Sequence, residues 1–276
     1  MNFAVRSREK LYFGIMLAIS ILLYGLLFAL LATPAKDAAA IYIGLIGFIL
    51  FLNVFVTLIF VGTLKGNAIK INAKQFPDIY AILESHSQRL GLSKTPDMYL
   101  LQGNGILNAF ALKFARRNYV VLHSNILEIA YQDMDVVSFI IGHELGHIKR
   151  NHTGFLKSFL IFPAKLMPFL GNAYSRACEY TCDNIGFNLC PKGAVKGILV
   201  LAVGKKLYTK VNLDELLLNV EREAGFALKF AEIFSTHPVL VKRIAVMNQL
   251  TYDDLTPENG FFNIQNSDFK QSDKSL

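Results

Sequence analysis

The sequence predicts an α+β fold that is mostly α, in which two N-terminal transmembrane helices precede a domain with a small sheet. Two uncharged apolar runs within the first 64 residues predict the membrane helices. Three short apolar segments between residues 95 and 124 predict the strands. Apolar residues at helical spacing before and after these segments predict the remaining helices.

The two apolar runs cover residues 11–32 and 38–64 and contain no charged residue. Each exceeds the roughly 20 residues that a helix needs to cross the hydrocarbon core of a bilayer. A cleaved signal peptide is the alternative for the first run, but its apolar core would be only about 7–15 residues long. We therefore predict a membrane anchor over residues 1–64.

Basic residues flank the pair of spans on one side of the membrane. They are Arg6, Arg8 and Lys10 before the first span and Lys65, Lys70 and Lys74 after the second. The connecting loop offers only Lys36, next to Asp37. Positive-inside counting thus predicts that both termini and the following domain are cytoplasmic. We expect the membrane to be the inner (plasma) membrane of a bacterium.

The net charge of +7 is scattered along the chain. Without an aromatic-interleaved basic patch, it indicates attraction to the anionic headgroups of a lipid bilayer and no nucleic acid partner. The three cysteines Cys178, Cys182 and Cys190 are an odd number in a region predicted to be cytoplasmic. They predict no disulfide framework and are expected to be small buried residues.

The predicted domain covers residues 65–264, and the polar residues 265–276 predict a disordered tail. Strands are predicted at 95–102, 106–114 and 118–124, and helices at 76–92, from Asp133 or Asp135 to 150, and at 173–189, 192–208, 213–234 and 238–250. Residues 154–171 are apolar but contain two lysines and two prolines. They are compatible with a third span, with a segment lying on the membrane, or with packing in the domain.

The chemistry concentrates in the stretch FIIGHELGHIKRNH at residues 139–152. Residues four apart share one face of a helix, so His143 and His147 can bind one ion. Glu144 lies about 100° around the axis, beside the ion, where its carboxylate can act on an attacking water. Two incidental histidines on a surface helix are the alternative, but the flanking FIIG indicates a buried helix. We predict one Zn²⁺ per chain.

A catalytic zinc site has three protein ligands and one open position. The metzincin pattern would need a histidine at position 153, where this chain has Thr153. The acidic candidates for the third ligand are Glu179, Asp183, Glu221 and Glu223. We predict Glu179 as the ligand, with Asp183 behind it as acceptor of the outer N–H of a ligand histidine. A solvated acidic pair is the alternative. His152 is expected to make a structural hydrogen bond, and no role is assigned to His86 or His123.

Four motifs occur together in this chain: HELGH, ACEYTCD, the NAFA tetrapeptide at 108–111 and STHPVLVKRI at 235–244. This combination resembles the HtpX-like membrane zinc metallopeptidases, gluzincins related to the CAAX prenyl proteases. The resemblance covers roughly residues 65–250. It implies a zincin domain of gluzincin type with His143, His147 and Glu179 as zinc ligands and Glu144 as general base.

The resemblance also implies roles in substrate binding. It places His237 near the site, where we expect this histidine to donate to the developing oxyanion; a histidine at a helix N-terminus without a chemical role is the alternative. We expect Arg243 to orient His237 or to bind substrate. It makes Asn108, Ala109, Phe110 and Ala111 an edge strand that would bind an extended polypeptide by strand addition.

The predicted function is therefore a membrane-anchored zinc endopeptidase that cleaves membrane or misfolded proteins at the cytoplasmic face. The resemblance implies a role in protein quality control; maturation of one lipidated or membrane substrate is a second enzymatic hypothesis. The non-enzymatic alternative is a membrane scaffold with a structural zinc, which four protein ligands would usually close. Neither span contains a charge that would mark an ion path. Two copies could associate through small residues of the spans such as Gly44 and Gly47, so a homo-oligomer stays possible.

Overall fold

A computed structural model of the chain describes residues 3–31, 36–103, 105, 108–222 and 225–255. The first part contains helices α1 (Ser7–Leu31), α2 (Lys36–Asn67) and α3 (Pro77–Arg89) and strands β1 (Ile69–Ile71), β2 (Asp97–Leu101), β3 (Ala109–Phe114) and β4 (Arg117–His123). The second part contains helices α4 (Ser124–Ala130), α5 (Met134–Lys149), α6 (Phe155–Leu160), α7 (Phe162–Lys165), α8 (Pro168–Leu189), α9 (Pro191–Val203), α10 (Leu213–Arg222), α11 (Phe226–Phe234) and α12 (Leu240–Leu255). This confirms the predicted fold class, mostly helical with a small sheet.

Helices α1 and α2 are long and apolar enough to cross a membrane. The qualifying segments are Ser7–Ala29 and Ala40–Asn67, and their apolar side chains lie mostly outside the packed core. Leu22 and Phe28 are 72% and 75% exposed. An exposed apolar surface this large on two neighbouring helices fits a lipid environment and not water.

The segment that follows the histidine motif does not form a spanning helix in the described structure. It folds into the short helices α6 and α7, which pack along α1. The Tyr24 hydroxyl donates to the Phe159 carbonyl at 2.6 Å, and the Ala164 N–H donates to the Ser20 hydroxyl at 3.2 Å. Of the three possibilities left open by the sequence, a third span is not observed among the described residues, and the segment packs against the first anchor helix. Phe155, Leu156 and Leu166 are exposed, so a position of this segment on the membrane surface stays a prediction.

The sheet has the strand order β1-β2-β4-β3. Strand β2 runs parallel to β4, whereas β1 and β3 are antiparallel to their neighbours. The three predicted strands are therefore confirmed; β1, with only three residues, was not predicted. Within the described part of the chain β3 lies at an edge of the sheet.

The hydrogen bonds of β3 determine which of its peptide groups remain available. The His123 N–H donates to the Asn108 carbonyl at 3.0 Å, and the register pairs Ala109 with Leu122. Hydrogen-bonded and non-hydrogen-bonded pairs alternate along an antiparallel ladder. The N–H and C=O groups of Ala109 and Ala111 therefore point away from β4.

Glycines allow α5 to pack closely against α8. A Cβ added at Gly142 would lie 3.1 Å from the Leu189 side chain, and one at Gly146 would lie 3.2 Å from the Cα of Cys182. On the other helix, a Cβ at Gly186 would lie 2.9 Å from the Phe139 ring. The two helices can thus approach until their polar residues meet.

Two predicted helices have different ends. The helix predicted over 192–208 ends at Val203, because Gly204 has a φ of 85°, a conformation that glycine adopts readily. The helix predicted over 213–234 is divided into α10 and α11, and Gly225 caps the second of these. The predicted tail at 265–276 lies outside the described residues.

The close packing of α5 on α8 can be tested with a valine at Gly146. We expect Gly146→Val to destabilise the fold by about 1–3 kcal/mol, because the added atoms collide with backbone and side chain of Cys182. The matched control is Gly66→Val, since a Cβ there meets no atom within 4 Å. Thermal unfolding of the two metal-free, detergent-purified variants measures the difference, and equal midpoints would contradict the proposed role of the glycine.

Candidate metal centre

Three side chains converge between helices α5 and α8. The Nε2 atoms of His143 and His147 are 3.3 Å apart. A Glu179 carboxylate oxygen lies 3.5 Å from the first of these nitrogens, and its other oxygen lies 3.4 Å from the second. The helical spacing of the histidines and the close helix contact thus bring the three predicted ligands together.

The separations between these donor atoms fit a single zinc ion. Tetrahedral zinc binds nitrogen and oxygen at about 2.0–2.2 Å, which places neighbouring ligand atoms about 3.3 Å apart. All three measured separations lie close to that value. The side chains of the other two acidic candidates, Glu221 and Glu223, are not among those described.

Two further groups of potential ligands occur among the described residues. They are His147, His152 and Cys182, and Glu9, His152 and Cys178. Each contains a thiol, and a thiol must lose its proton to bind a metal. Burial raises the pKa of Cys182 well above its usual value and that of Cys178 to about 12. Losing that proton costs more than usual at both cysteines, which favours the group formed with Glu179.

Asp183 lies directly behind the first histidine. Its carboxylate accepts a hydrogen bond from the His143 Nδ1–H at 2.9 Å, which leaves Nε2, the nitrogen that faces Glu179 and His147, as the ring atom available to a metal ion. Arg243 donates to both oxygens of this carboxylate, from Nε at 2.8 Å and from Nη2 at 2.7 Å. Asp183 is completely buried, so the bidentate arginine provides the charge that balances it.

The electrostatics of the cluster favour a cation. Burial alone would lower the pKa of His143, but hydrogen bonds to Asp183 and Glu179 raise it to about 10. Burial alone would likewise raise the pKa of Glu179, yet contacts with His143 and His147 hold it well below its usual value. Burial alone would raise the pKa of Asp183, but the positive charge of Arg243 lowers it below its usual value. Two ionised carboxylates thus lie against the histidines.

The cluster lines a cleft of about 260 Å³. Of the residues predicted for the site, Asn108, Ala109, Phe110, Ala111, His143, Glu144, His147, Glu179, His237 and Arg243 line it, and Asp183 lies behind it. The structure therefore brings all of the predicted site residues to one place. Phe139, Ile140, Thr153 and Leu201 also line the cleft and were not predicted. Apolar residues such as Leu201 carry no sequence pattern that would distinguish a cleft from a core.

His237 and Arg243 differ in how freely they can meet a ligand. His237 is largely exposed, and its Nε2 lies 3.9 Å from a Glu179 oxygen. Its predicted role as an oxyanion donor stays a prediction. Arg243 is 4% exposed and uses two of its three nitrogens on Asp183, while Nη1 lies 3.7 Å from Glu179. If Arg243 contacts substrate, as predicted, the contact would therefore be made by Nη1.

The remaining histidines lie in different surroundings. His86 is buried and hydrogen-bonded to Ser138, and burial lowers its pKa to about 4. The His123 ring packs edge-on against Phe110. His152 makes hydrogen bonds, as expected: its Nδ1 lies 3.2 Å from the His147 Nδ1, and its Nε2 lies 2.9 Å from the carboxylate of Glu9. The second partner comes from the first anchor helix and was not predicted.

Comparison with known proteins supports a metal-dependent protease. The sequence profile described as "Peptidase family M48" matches residues 73–164 and 154–251. The chain is 23% identical to "Protease HtpX homolog" of Pyrobaculum calidifontis, over 90% of each chain. It is also 24% identical to "Plastoglobule-localized metallopeptidase 48, chloroplastic" of Arabidopsis thaliana. That match covers 55% of this chain and spans about half of the plant relative's length, 48%.

The assignment of the third ligand can be tested by removing its carboxylate. We expect Glu179→Ala to purify with a zinc content well below one ion per chain, because two histidines alone leave the ion without its only anionic ligand. Glu84→Ala is the control, since Glu84 is exposed on α3. Metal analysis of both purified proteins gives the result, and full zinc in Glu179→Ala would exclude Glu179 as the third ligand.

Proposed function

The chain belongs to peptidase family M48, and we propose that it is a membrane-anchored zinc endopeptidase with one Zn²⁺ per chain. The observation that carries the proposal is the convergence of His143, His147 and Glu179 in a cleft that Glu144 also lines. The three ligands leave a coordination position for a water or a substrate carbonyl. A structural zinc in a membrane scaffold would instead call for a fourth protein ligand.

Zinc in such a site acidifies water and polarises the carbonyl that is attacked. Glu144 then acts as general base: its carboxylate accepts a proton from the attacking water and returns it to the leaving amine. His143 is held in position by Asp183, and Arg243 holds Asp183. The exposed ring of His237, whose Nε2 lies 3.9 Å from a Glu179 oxygen, would donate to the oxyanion.

The substrate would bind along β3. The outward peptide groups of Ala109 and Ala111 can pair with an extended polypeptide, which adds a strand to the sheet. Asn108 and Phe110 line the same cleft, so a strand bound there passes in front of the histidines. A polypeptide must be locally unfolded to bind in this way, which favours misfolded or loosely folded substrates.

The anchor determines which substrates are available. With α1 and α2 in the bilayer as an anchor of residues 1–64, the domain of residues 65–264 is held at the headgroups. Proximity alone then favours membrane proteins as its class of substrate. The basic residues before the first helix and after the second lie on one side of the membrane and favour its cytoplasmic face, here that of a bacterial inner membrane. A quality-control role would follow from this placement together with the preference for unfolded segments.

The general base can be tested by removing its charge. We expect Glu144→Gln to lower cleavage of unfolded casein by about 10²–10⁴-fold and to retain zinc, because the amide cannot accept the proton and the residue is not a ligand. Glu84→Gln is the matched control. Cleavage and metal content are measured on the same detergent-purified samples, and Glu144→Gln with undiminished turnover would contradict the mechanism.

Strand addition at β3 can be tested with proline. We expect Ala111→Pro to lower kcat/KM for an unfolded substrate by roughly tenfold, because it removes an N–H donor from the outer edge and leaves the ladder to β4 intact. Lys113→Pro is the control: its N–H also points outward, but Lys113 does not line the cleft. Equal losses in both variants would indicate damage to the strand and not to substrate binding.

A further inference from the structure

A buried carboxylate from the first anchor helix reaches the metal centre through one histidine. Glu9, in the first turn of α1, is 2% exposed. Its Oε1 lies 2.9 Å from the His152 Nε2, and the His152 Nδ1 lies 3.2 Å from the His147 Nδ1. The three side chains thus form a continuous chain of hydrogen bonds from α1 to a predicted zinc ligand.

The chemistry of these groups determines which atom donates and which accepts in each of these hydrogen bonds. An ionised carboxylate only accepts hydrogen bonds, so the His152 Nε2 must carry a proton and donate it to Glu9. A neutral imidazole has one N–H, so the His152 Nδ1 is an acceptor and the His147 Nδ1 is the donor. The His147 Nε2 is then left without a proton, with its lone pair facing the His143 Nε2 and Glu179.

We propose that Glu9 is a positioning residue for the zinc site, acting through His152 to fix the tautomer and orientation of His147. It does for His147 what Asp183 does directly for His143. The proposal rests on the proposed function, because it requires His147 to bind the metal. The outer partners of ligand histidines commonly contribute 10–100-fold to metal affinity or activity.

The residues around Glu9 and His152 are consistent with these donor and acceptor assignments. Lys157 lies 3.8 Å from the Glu9 Oε1 and provides a positive charge beside the buried carboxylate. The Cys182 sulfur lies 3.7 Å from the His152 Nδ1, where it can share the lone pair as a weak donor. The contact from Cys182 is longer than the contact from His147, and in both of them the His152 Nδ1 is the acceptor.

The position of Glu9 depends on how α1 is attached to α8. The Arg6 Nη2 donates to the Asn184 side-chain oxygen at 2.9 Å, and its guanidinium lies 5.3 Å from the centre of the Tyr180 ring. A rival explanation is therefore that Glu9 only helps to hold α1 in place. An Arg6→Ala variant weakens the same attachment without touching the hydrogen-bond chain.

Substitutions at His152 separate the two explanations, because each amide replaces one ring nitrogen. The Asn side chain in His152→Asn can accept from the His147 Nδ1–H but does not reach Glu9. The longer side chain in His152→Gln can donate to Glu9 but offers no acceptor to His147. Glu9→Met removes the carboxylate at nearly constant volume.

The experiment is zinc affinity by chelator competition on full-length protein in detergent. We expect Glu9→Met and His152→Gln each to weaken affinity by about 10–100-fold. His152→Asn and Arg6→Ala should remain close to wild type, and adding Glu9→Met to His152→Asn should have no further effect. The visible spectrum of the cobalt-substituted protein should change in the same two weakened variants.

Wild-type affinity in Glu9→Met would overturn the inference, as would an equal loss in Arg6→Ala or a full Glu9→Met effect in the His152→Asn background. These outcomes are distinct from failure of the proposed function. A wild-type protein that binds zinc and cleaves casein, but is indifferent to Glu9→Met, overturns this inference alone. A wild-type protein that binds no zinc overturns both.

Discussion

The close contact between α5 and α8 is the constraint on which the site depends. Gly142 and Gly146 on one helix and Gly186 on the other leave no room for larger side chains. Because the helices approach so closely, the Glu179 carboxylate on α8 can share an ion with two histidines one turn apart on α5. The cost is a dense group of buried charges, which Arg243 and the metal together would neutralise.

The anchor and the domain are structurally continuous at the metal centre. Helix α1 contributes Glu9 to the surroundings of His147, and its next turns support α6 and α7 through Ser20 and Tyr24. A displacement of α1 would therefore be transmitted to the candidate metal centre through a few hydrogen bonds. The apolar sequence ends at residue 64. That a domain boundary lies there stays a prediction.

Local patterns made much of this structure predictable. The two uncharged runs, the helix that carries His143 and His147, and the strand of Ala109 and Ala111 each have a periodicity that is visible within a short window. The third ligand needed chemical reasoning about carboxylate spacing as well as the family resemblance. Glu9 could not be predicted, because its partner His152 lies 143 residues away in the sequence. The basic residues around it, Arg6, Arg8 and Lys10, indicated only the cytoplasmic flank of a membrane span. Residues 154–171 were ambiguous because a membrane span and a segment packed on an anchor helix are equally apolar.

X-ray absorption at the zinc edge of the purified, zinc-loaded protein would identify the ligand atoms directly. Binding by His143, His147 and Glu179 predicts only nitrogen and oxygen neighbours, at about 2.0–2.2 Å, with scattering from two imidazole rings. Binding at His152 with Cys178 or Cys182 would add a sulfur at about 2.3 Å. A first coordination sphere of nitrogen and oxygen alone would support the proposed centre, and a sulfur neighbour would contradict it.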